Sequence, residues 1–395
     1  MKITSVEIIP VDQVHKGKLI FSSGPTPAFN EWIVIKIKTD EGFEGIGSAC
    51  SFTPAPLLAR GCAREGCMYL LKELSKILIG KNPMQLSMLV GMLERAISGW
   101  YTENWYMLTH LETALYDLKG KILNLPVYEL LGGLQREQIK SEWIQSFSTT
   151  PEEAAEEAKR YIDAGFKAVK VHVNNDTVNA EARVREVRKA IGYDVPLAID
   201  MGMMYNAMDA ARLLNRLDGE YKLNFAEQPL HPYDMNGMVR LRAQTSVPLT
   251  ADHSGMSLSQ AYEMMKLNVF DNFHCMFSRV GGFARSVRYM DMMDTARLSY
   301  QICNEGATIA GTAAAHLAVS RPDHGKYLDE LGLYLYVHGV TDSKSITDDI
   351  VKEQSMIIEN GMLIAPPKGP GLGLELDEDM MKRYAPANLE KIVVS

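Results

Sequence analysis

Short apolar runs that each end in a charged residue recur in the middle of the chain. Four of them are Ala168–Val173, Leu197–Asp200, Leu223–Glu227 and Pro248–Asp252. The charged ends Asp200, Glu227 and Asp252 are separated by 27 residues (227−200) and 25 residues (252−227). One strand, one crossover helix and their loops together have about this length. The pattern therefore predicts repeated βα units.

The alternation of strand-like and helix-like segments continues through most of the chain after Gly133. Strands are predicted at Ser141–Ser146, Ala168–Val173, Leu197–Asp200, Asn224–Glu227, Leu249–Asp252, Asn272–Met276 and Tyr300–Cys303, with an eighth near Leu333–Val337. Eight parallel strands with helices between them close into a barrel of about 230 to 250 residues. We therefore expect an α/β fold built on a modified TIM barrel with seven or eight βα units.

The first 133 residues follow a different pattern. Apolar and polar residues alternate with the period of a strand from Trp32 to Lys38, and Asp40-Glu41-Gly42 then predicts the turn of an antiparallel hairpin. Residues 56–125 have helical periodicity instead, and three helices fit, the last from Trp105 to Ile122. A separate α+β unit is therefore expected before the barrel.

Three acidic residues are predicted to meet at one rim of this barrel. Parallel strands point the same way, so Asp200, Glu227 and Asp252 at successive strand ends would converge. Converging carboxylates repel one another unless a cation lies among them, and an all-oxygen set of ligands suits Mg²⁺ better than zinc. The alternative is that each acid only caps the following helix. Three acids in consecutive units, after Lys170-Val171-His172, favour a shared metal site.

Composition excludes several other classes of protein. The chain has 395 residues and a net charge of −8, and no cluster of Lys and Arg suggests a nucleic-acid partner. No apolar run approaches the roughly 18 residues of a membrane span, and the first residues lack the apolar core of a signal peptide. The five cysteines are scattered, as expected for reduced thiols. We therefore expect a cytoplasmic, soluble protein.

These features together resemble the enolase superfamily, in its mandelate racemase and muconate lactonizing enzyme branch. The resemblance rests on the N-terminal α+β unit, Leu130-Leu131-Gly132-Gly133, the three acids of the barrel, Val280-Gly281-Gly282 and Pro370-Gly371-Leu372-Gly373. It implies an N-terminal α+β capping domain (residues 1–133), a barrel with the metal site (134–365) and a C-terminal segment that returns to the capping domain (366–395). It also implies a homo-oligomer.

The resemblance further implies the chemistry. Asp200, Glu227 and Asp252 would bind Mg²⁺, which binds the carboxylate of a small-molecule substrate, and the family removes the proton α to that carboxylate. Many relatives carry Lys-x-Lys on the second strand, where this chain has Lys170 and His172. His172 would then be the base, with Lys170 supporting the developing charge.

A second base on the opposite face is not evident in the sequence. The strand-six position used by relatives is Met276, which accepts no proton, and His274 lies two residues deeper in the same strand. His253 is expected to point away from the metal face, and His316 is expected to serve packing. One base favours elimination, so we expect a Mg²⁺-dependent acid dehydratase.

The alternatives are a racemase or epimerase with an unrecognised second group (Cys303 or Glu305), a cycloisomerase, and a non-catalytic binding protein. Substrate identity is not readable from the sequence. The candidate substrate-binding residues are Ser22, Ser23, Phe52, Met276 and Glu305. Most of them lie in loops that are expected to shape specificity.

Overall fold

The computed structural model describes most of the chain. It covers residues 1–14, 20–21, 24–25, 29–49, 63–98, 104–144, 150–304, 308–323, 327–331, 349–352, 358–359, 362–364 and 369–395. The strands are β1 Ile3–Val14, β2 Ile20–Phe21, β3 Gly24–Pro25, β4 Phe29–Thr39, β5 Glu44–Gly47, β6 Gln138–Lys140, β7 Glu142–Ile144, β8 Ala168–His172, β9 Leu197–Asp200, β10 Leu223–Glu227, β11 Leu249–Ala251, β12 Asn272–Met276, β13 Ser299–Cys303, β14 Ile358–Glu359, β15 Met362–Ile364 and β16 Ile392–Val394.

The helices alternate with the strands after residue 150. They are α1 Arg64–Ser75, α2 Leu86–Ile97, α3 Trp105–Leu123, α4 Val127–Leu130, α5 Pro151–Asp163, α6 Thr177–Ile191, α7 Ala207–Tyr221, α8 Met235–Arg242, α9 Leu258–Leu267, α10 Phe277–Val280, α11 Phe283–Ala296, α12 Thr308–Val319 and α13 Glu378–Arg383. A 3₁₀ turn at His253–Gly255 follows β11. The predicted α/β fold with an N-terminal α+β unit is confirmed.

Seven parallel strands form a curled sheet in the order β13-β12-β11-β10-β9-β8-β7. A short segment closes the gap between its two ends, because Asp329 bridges to Ser141 and Glu330 bridges to Cys303. The backbone N–H of Glu142 donates to Asp329 O at 3.2 Å. The eighth barrel position is therefore occupied by Asp329 and Glu330. The strand that the sequence suggested near residues 333–337 lies outside the described residues.

Local sequence explains how the helices of the barrel begin. At the start of α5, Thr150 Oγ1 accepts from the N–H of Glu153 at 3.2 Å, and Glu153 Oε2 accepts from the N–H of Thr150 at 2.9 Å. This reciprocal cap satisfies two backbone donors that the helix itself cannot pair, and Pro151 at the first helical position has no N–H to lose. The sequence Thr-Pro-Glu-Glu thus fixes where the first crossover helix starts.

The N-terminal sheet packs on both of its faces. Its order is β16-β1-β4-β5, and Ile33, Ile35 and Ile37 of β4 face the core formed with α1, α2 and α3. Trp32 and Val34 on the opposite face belong to the core of the barrel. Because alternate residues of a strand point to opposite sides, one strand joins the two cores.

Two glycines allow β5 to lie directly on α3. A Cβ atom at Gly47 would stand 2.3 Å from His110 O, and one at Gly45 would stand 2.3 Å from Ala114 O. Larger residues would push the sheet away from the helix, since real Cβ atoms do not approach backbone oxygen so closely. The sequence Glu-Gly-Ile-Gly therefore serves packing between layers as well as the hairpin.

The C-terminal segment returns to the N-terminal unit. Leu372 N donates to the buried Asp117 Oδ1 at 2.8 Å, and β16 pairs antiparallel with β1. His316 is buried as expected: Nδ1 accepts from Tyr128 N at 3.3 Å and Nε2 lies 3.2 Å from Leu372 O. Burial lowers the pKa of His316 to about 4. The exact domain boundaries, including the one at residue 365 outside the described segments, stay a prediction.

Within the described residues, no helix combines the length and apolar character needed to cross a membrane. Cys67, Cys275 and Cys303 are buried, whereas Cys50 and Cys62 lie outside the described residues.

A buried carboxyl group joins α3 to the barrel. Glu112 Oε1 accepts from Ala284 N at 2.9 Å at the start of α11, and its Oε2 has no hydrogen-bond partner among the described residues. A Cβ at Gly282 would stand 2.0 Å from this Oε2, so the close approach requires glycine. Burial raises the pKa of Glu112 to about 8. The carboxyl group is therefore more easily protonated in the folded protein than in the unfolded chain.

We expect Glu112→Gln to change how stability depends on pH. The raised pKa of about 8 makes folding take up a proton, so the wild type loses stability as pH rises from about 4.5 to 8. Glutamine cannot ionise but keeps the acceptor for Ala284 N. The difference in free energy of unfolding between the variant and the wild type, measured in urea, should grow in favour of the variant by up to about 1.4 kcal/mol per pH unit. This difference should stay constant above pH 8. The exposed Glu129→Gln is the control, and an equal difference at every pH would contradict the assignment.

Candidate active site

The side chains predicted to carry the chemistry lie at the carboxyl ends of the barrel strands. His172 pairs in register with Asp200, and Asp200 with Glu227, on neighbouring strands. Lys170 and His172 are both buried, two residues apart on β8, as alternation along a strand requires for one face. The sequence therefore brings Lys170, His172, Asp200 and Glu227 to one region because the strands are parallel.

Lys170 is surrounded by three carboxylates. Its Nζ contacts Glu227 Oε2 and Glu330 Oε2 at hydrogen-bond distance, and it lies 3.5 Å from Glu142 Oε1. Burial alone would lower the pKa of Lys170, but the negative charges of Glu227, Glu330 and Glu142 outweigh it and raise that pKa well above its usual value. Lys170 therefore keeps its positive charge at neutral pH and lies among these three acids.

His172 on β8 faces the cluster of acids formed by Glu142, Asp200, Glu227, Asp252 and Glu330, which is called the acidic group below. Its Nε2 lies 2.8 Å from Asp200 Oδ2, while Asp200 Oδ1 accepts from the N–H of Gly202 at 2.8 Å. Burial opposes ionisation of Asp200, but the neighbouring His172 and Lys170 outweigh it and lower the pKa of Asp200. Asp200 is accordingly a carboxylate at neutral pH, with the imidazole directly beside it.

Asp252 lies just beyond the end of β11, where the chain bends. His253 Nε2 lies 3.0 Å from Asp252 Oδ2, and Arg279 Nη1 lies 3.7 Å from Asp252 Oδ1. The expectation that His253 points away from the metal face was wrong, because the strand stops at Ala251 and a 3₁₀ turn begins at His253. Burial acts against ionisation of Asp252, yet His253 and Arg279 together lower its pKa.

Gln228, the residue after Glu227, fixes the backbone around Asp252. Its Oε1 accepts from Asp252 N at 3.2 Å and from Ser254 N at 3.0 Å. Its Nε2 donates to Leu230 O and to Ser254 Oγ, both at 2.8 Å. All these contacts are buried, so one amide side chain links the ends of β10 and β11. Sequence reasoning missed Gln228, since an amide after a strand carries no distinctive signal.

Two acids and one histidine among the described residues lie close enough together to hold a cation. Metal-ligating atoms of Glu227, Asp252 and His274 all lie within 4.8 Å of one another. Burial raises the pKa of Glu227 well above its usual value, and the charges of Asp200, Glu330 and Asp252 add to that effect against Lys170. Asp252 Oδ1 is buried without a hydrogen-bond partner among the described residues. Carboxylate oxygens in this arrangement suit Mg²⁺.

Two further acids and one histidine complete the site. Glu142 is fully buried, and burial, opposed by Lys170, raises its pKa to about 8. Glu330 was missed because the eighth strand was expected a few residues later in the chain. His274 was expected only as a weak substitute for a base, but its Nδ1 lies 3.7 Å from Glu227 Oε1. Burial, with the charge of Lys170, lowers the pKa of His274.

Strands β12 and β13, the sixth and seventh strands of the barrel, end in Met276 and Cys303, which pair in register. Met276 is buried, and Cys303 is a buried thiol whose pKa is raised well above its usual value by burial and by Glu330. The remaining candidate substrate-binding residues Ser22, Ser23, Phe52 and Glu305 lie outside the described residues.

Comparison with known families covers nearly the whole chain. The family model described as "Enolase C-terminal domain-like" matches residues 153–380. The model described as "Mandelate racemase / muconate lactonizing enzyme, N-terminal domain" matches residues 11–132. The two matches fall on the barrel and on the N-terminal α+β unit, respectively.

Individual relatives and solved structures align along most of their length. N-succinyl-L-Arg/Lys racemase of Bacillus cereus is 26% identical over 388 residues, covering 97% of this chain and 97% of the relative. D-galactonate dehydratase of Xanthomonas euvesicatoria is 28% identical over 366 residues, covering 89% of this chain and 90% of the relative. A mandelate racemase/muconate lactonizing family protein from Azoarcus sp. EbN1 superposes with a TM-score of 0.90 at 29% identity over 100% of both chains.

Replacing Lys170 by methionine should destabilise the protein, because Glu227 and Glu330 lose their buried counter-charge. We expect the free energy of unfolding, measured in urea with EDTA at pH 8, to fall by about 3–5 kcal/mol. The loss should be smaller at pH 5, where more of the carboxyl groups are protonated.

The matched control for this prediction is Lys167→Met, which removes an exposed lysine three residues earlier. Its effect should stay within about 0.5 kcal/mol. If Lys170→Met behaves like this control at pH 8, Lys170 does not balance the buried acids.

Proposed function

The chain belongs to the mandelate racemase/muconate lactonizing enzyme family of enolase-superfamily enzymes, and we propose that it removes the proton α to a substrate carboxylate with His172 as the base. The observation that carries this proposal is the placement of His172 Nε2 2.8 Å from Asp200 Oδ2, at the edge of the acidic group. The imidazole therefore lies beside the acids that are proposed to hold the substrate's metal ion, where a base for the α-proton is needed.

Members of the family bind Mg²⁺. We propose that Asp200, Glu227 and Asp252 hold this ion here. When bound, Mg²⁺ supplies positive charge beside the substrate carboxylate, where negative charge develops as the α-proton leaves. The proposal is supported by the buried Asp252 Oδ1, which has no hydrogen-bond partner among the described residues, and by the raised pKa of Glu227, which indicates a carboxyl group whose negative charge the protein does not fully compensate.

Lys170 has a separate part in this proposal. Its ammonium group forms salt bridges with Glu227 and Glu330, so it does not serve as an acid or base in the reaction. Its fixed charge instead orients Glu227 and lowers the electrostatic cost of gathering acids in the barrel. With Lys170 and His172 in these roles, His172 is the one residue of β8 that transfers a proton.

The overall reaction is proposed to be elimination of water from a hydroxy acid. His172 takes the proton from the α-carbon, the bond from the β-carbon to its hydroxyl breaks, and the same imidazolium returns the proton to that hydroxyl as water leaves. The proton balance closes on His172 alone. Met276 at the strand-six position favours this route, because a thioether has no proton to give to the opposite face.

Racemisation or epimerisation is the second candidate. Cys303, the register partner of Met276, is a buried thiol on the strand-seven side, and the long alignment with a racemase of Bacillus cereus also favours this reaction. Cycloisomerisation of an unsaturated acid requires only one base as well. The partner in each case is a small-molecule carboxylate, while a cytoplasmic location and a homo-oligomeric state stay predictions.

Incubation with a library of hydroxy acids, sugar acids and N-acylamino acids in D₂O with Mg²⁺ tests these reactions. We expect His172→Asn to lower turnover of the active acid by about 10²–10⁴-fold, because the proton acceptor is lost. NMR should reveal loss of water with the wild type. Deuterium incorporation with inversion and no loss of water would identify an epimerase instead.

The control for this variant is His231→Asn, an exposed histidine on the loop after β10. It should retain wild-type turnover. Full activity in His172→Asn would remove His172 from the mechanism and contradict the proposal.

A further inference from the structure

His274 lies inside the barrel on β12, two residues before Met276, and only 1% of its surface is exposed. Each of the two ring nitrogens has an oxygen atom as its neighbour. Nε2 lies 3.0 Å from Gln301 Oε1, and Nδ1 lies 3.7 Å from Glu227 Oε1. Which nitrogen carries the proton therefore decides what His274 offers to the acidic group.

The contacts of Gln301 determine that tautomer. Gln301 Nε2 donates to Leu328 O at 2.5 Å, and Gln301 Oε1 accepts from Asn272 Nδ2 at 2.6 Å. The opposite orientation of the amide would set two oxygens against each other at Leu328 and two N–H groups against each other at Asn272. Because Gln301 Oε1 is an acceptor, His274 Nε2 must be the donor. The neutral ring then has a bare lone pair on Nδ1.

This lone pair points towards other electron-pair donors. His274 Nδ1 has no hydrogen-bond partner among the described residues, although it is buried. The ligand atoms of Glu227, Asp252 and His274 all lie within 4.8 Å of one another. Without a positive group between them, two carboxylates and an imidazole lone pair repel one another. A divalent cation accepts electron pairs from all three and removes that repulsion.

We propose that His274 Nδ1 is a nitrogen ligand of the divalent cation held by Glu227 and Asp252, an inference that rests on the proposed function having a metal ion at this site. The ligand set is then mixed instead of the all-oxygen set expected from the three acids. An imidazole nitrogen strengthens binding of Mn²⁺ and Co²⁺ more than that of Mg²⁺. The protein would therefore prefer Mn²⁺ over Mg²⁺ more strongly than a site of carboxylates alone.

The Gln301 contacts make this nitrogen a fixed ligand. Asn272 Nδ2 also donates to Thr250 Oγ1 at 3.1 Å. One buried chain of hydrogen bonds across β11, β12 and β13 therefore connects Thr250, Asn272, Gln301 and His274. A second hydrogen bond from a ligating histidine sets its tautomer and ring orientation. Gln301 accepts this second hydrogen bond from His274 and so fixes its tautomer and ring orientation.

Pulsed EPR of the Mn²⁺-loaded protein tests the inference without a substrate. We expect electron spin echo modulation from a directly bound ¹⁴N, replaced by a ¹⁵N coupling when the protein is made with ¹⁵N-histidine. The signal should persist in His172→Asn and in His253→Asn, which remove the two other imidazoles beside the acids, and should disappear in His274→Gln. The ratio of Mn²⁺ to Mg²⁺ affinity, measured by titration calorimetry, should fall by about tenfold in His274→Gln.

The outcomes separate this inference from the proposed function. Mn²⁺ uptake with no histidine coupling overturns the inference alone, and so does a coupling that vanishes in His172→Asn or in His253→Asn. Failure of the wild type to take up Mn²⁺ or Mg²⁺ overturns the metal site and the inference together. The isotope experiment on the wild type shows whether a histidine is bound, and a coupling kept in His172→Asn and in His253→Asn assigns it to His274, so the result does not depend on His274→Gln folding normally.

Discussion

The site depends on gathering acidic groups where the protein gives them too little positive charge. Glu142, Glu227, Asp252 and Glu330 are buried, Asp200 is half-buried beside them, and Lys170 is the ammonium group placed among three of them. The raised pKa values of Glu142 and Glu227 express this imbalance. A proton or a cation must supply the difference, since unpaired charges are expensive to bury. That requirement connects the fold to the proposed chemistry.

The parallel barrel holds these acids close together even though their negative charges repel one another. Glu142, Asp200 and Glu227 belong to three different strands, so their backbones are held by ladder hydrogen bonds that do not depend on their charge. Glu330 is held by its bridge to Cys303. The bend after β11 is the exception, and Gln228 compensates there by holding Asp252 N and Ser254 N. Helix α3 joins the N-terminal unit to the barrel through Glu112. Gly45 and Gly47 let β5 pack closely on the same helix within the N-terminal unit. A rigid frame of this kind keeps mutually repelling groups in place.

Much of the fold could be predicted from the sequence because it depends on periodicity. The apolar runs of β8 to β13 are short, regular and bounded by turn residues, and the hairpin at Asp40-Glu41-Gly42 has a local signature. The eighth barrel position could not be found in this way. Asp329 and Glu330 lie in a segment of isolated bridges, whose pairing is set by the two ends of the curled sheet and not by an apolar pattern of their own.

The candidate site was predictable to a similar degree. Asp200, Glu227, Lys170 and His172 were found because they end or line strands, and strand direction alone brings them together. The placement of His253 and the contacts of Gln228 depend on how one strand end bends. The tautomer of His274 depends on Gln301 and Asn272, which are distant in sequence. Such side-chain networks follow from tertiary packing, which no spacing rule describes.

The most direct test of the central claim is a crystal of the protein soaked in Mn²⁺ and measured for anomalous scattering. The account predicts one strong anomalous peak among the carboxylates of Asp200, Glu227 and Asp252. A map with no peak between these carboxylates, or with Mn²⁺ bound only at other acidic residues, would contradict it.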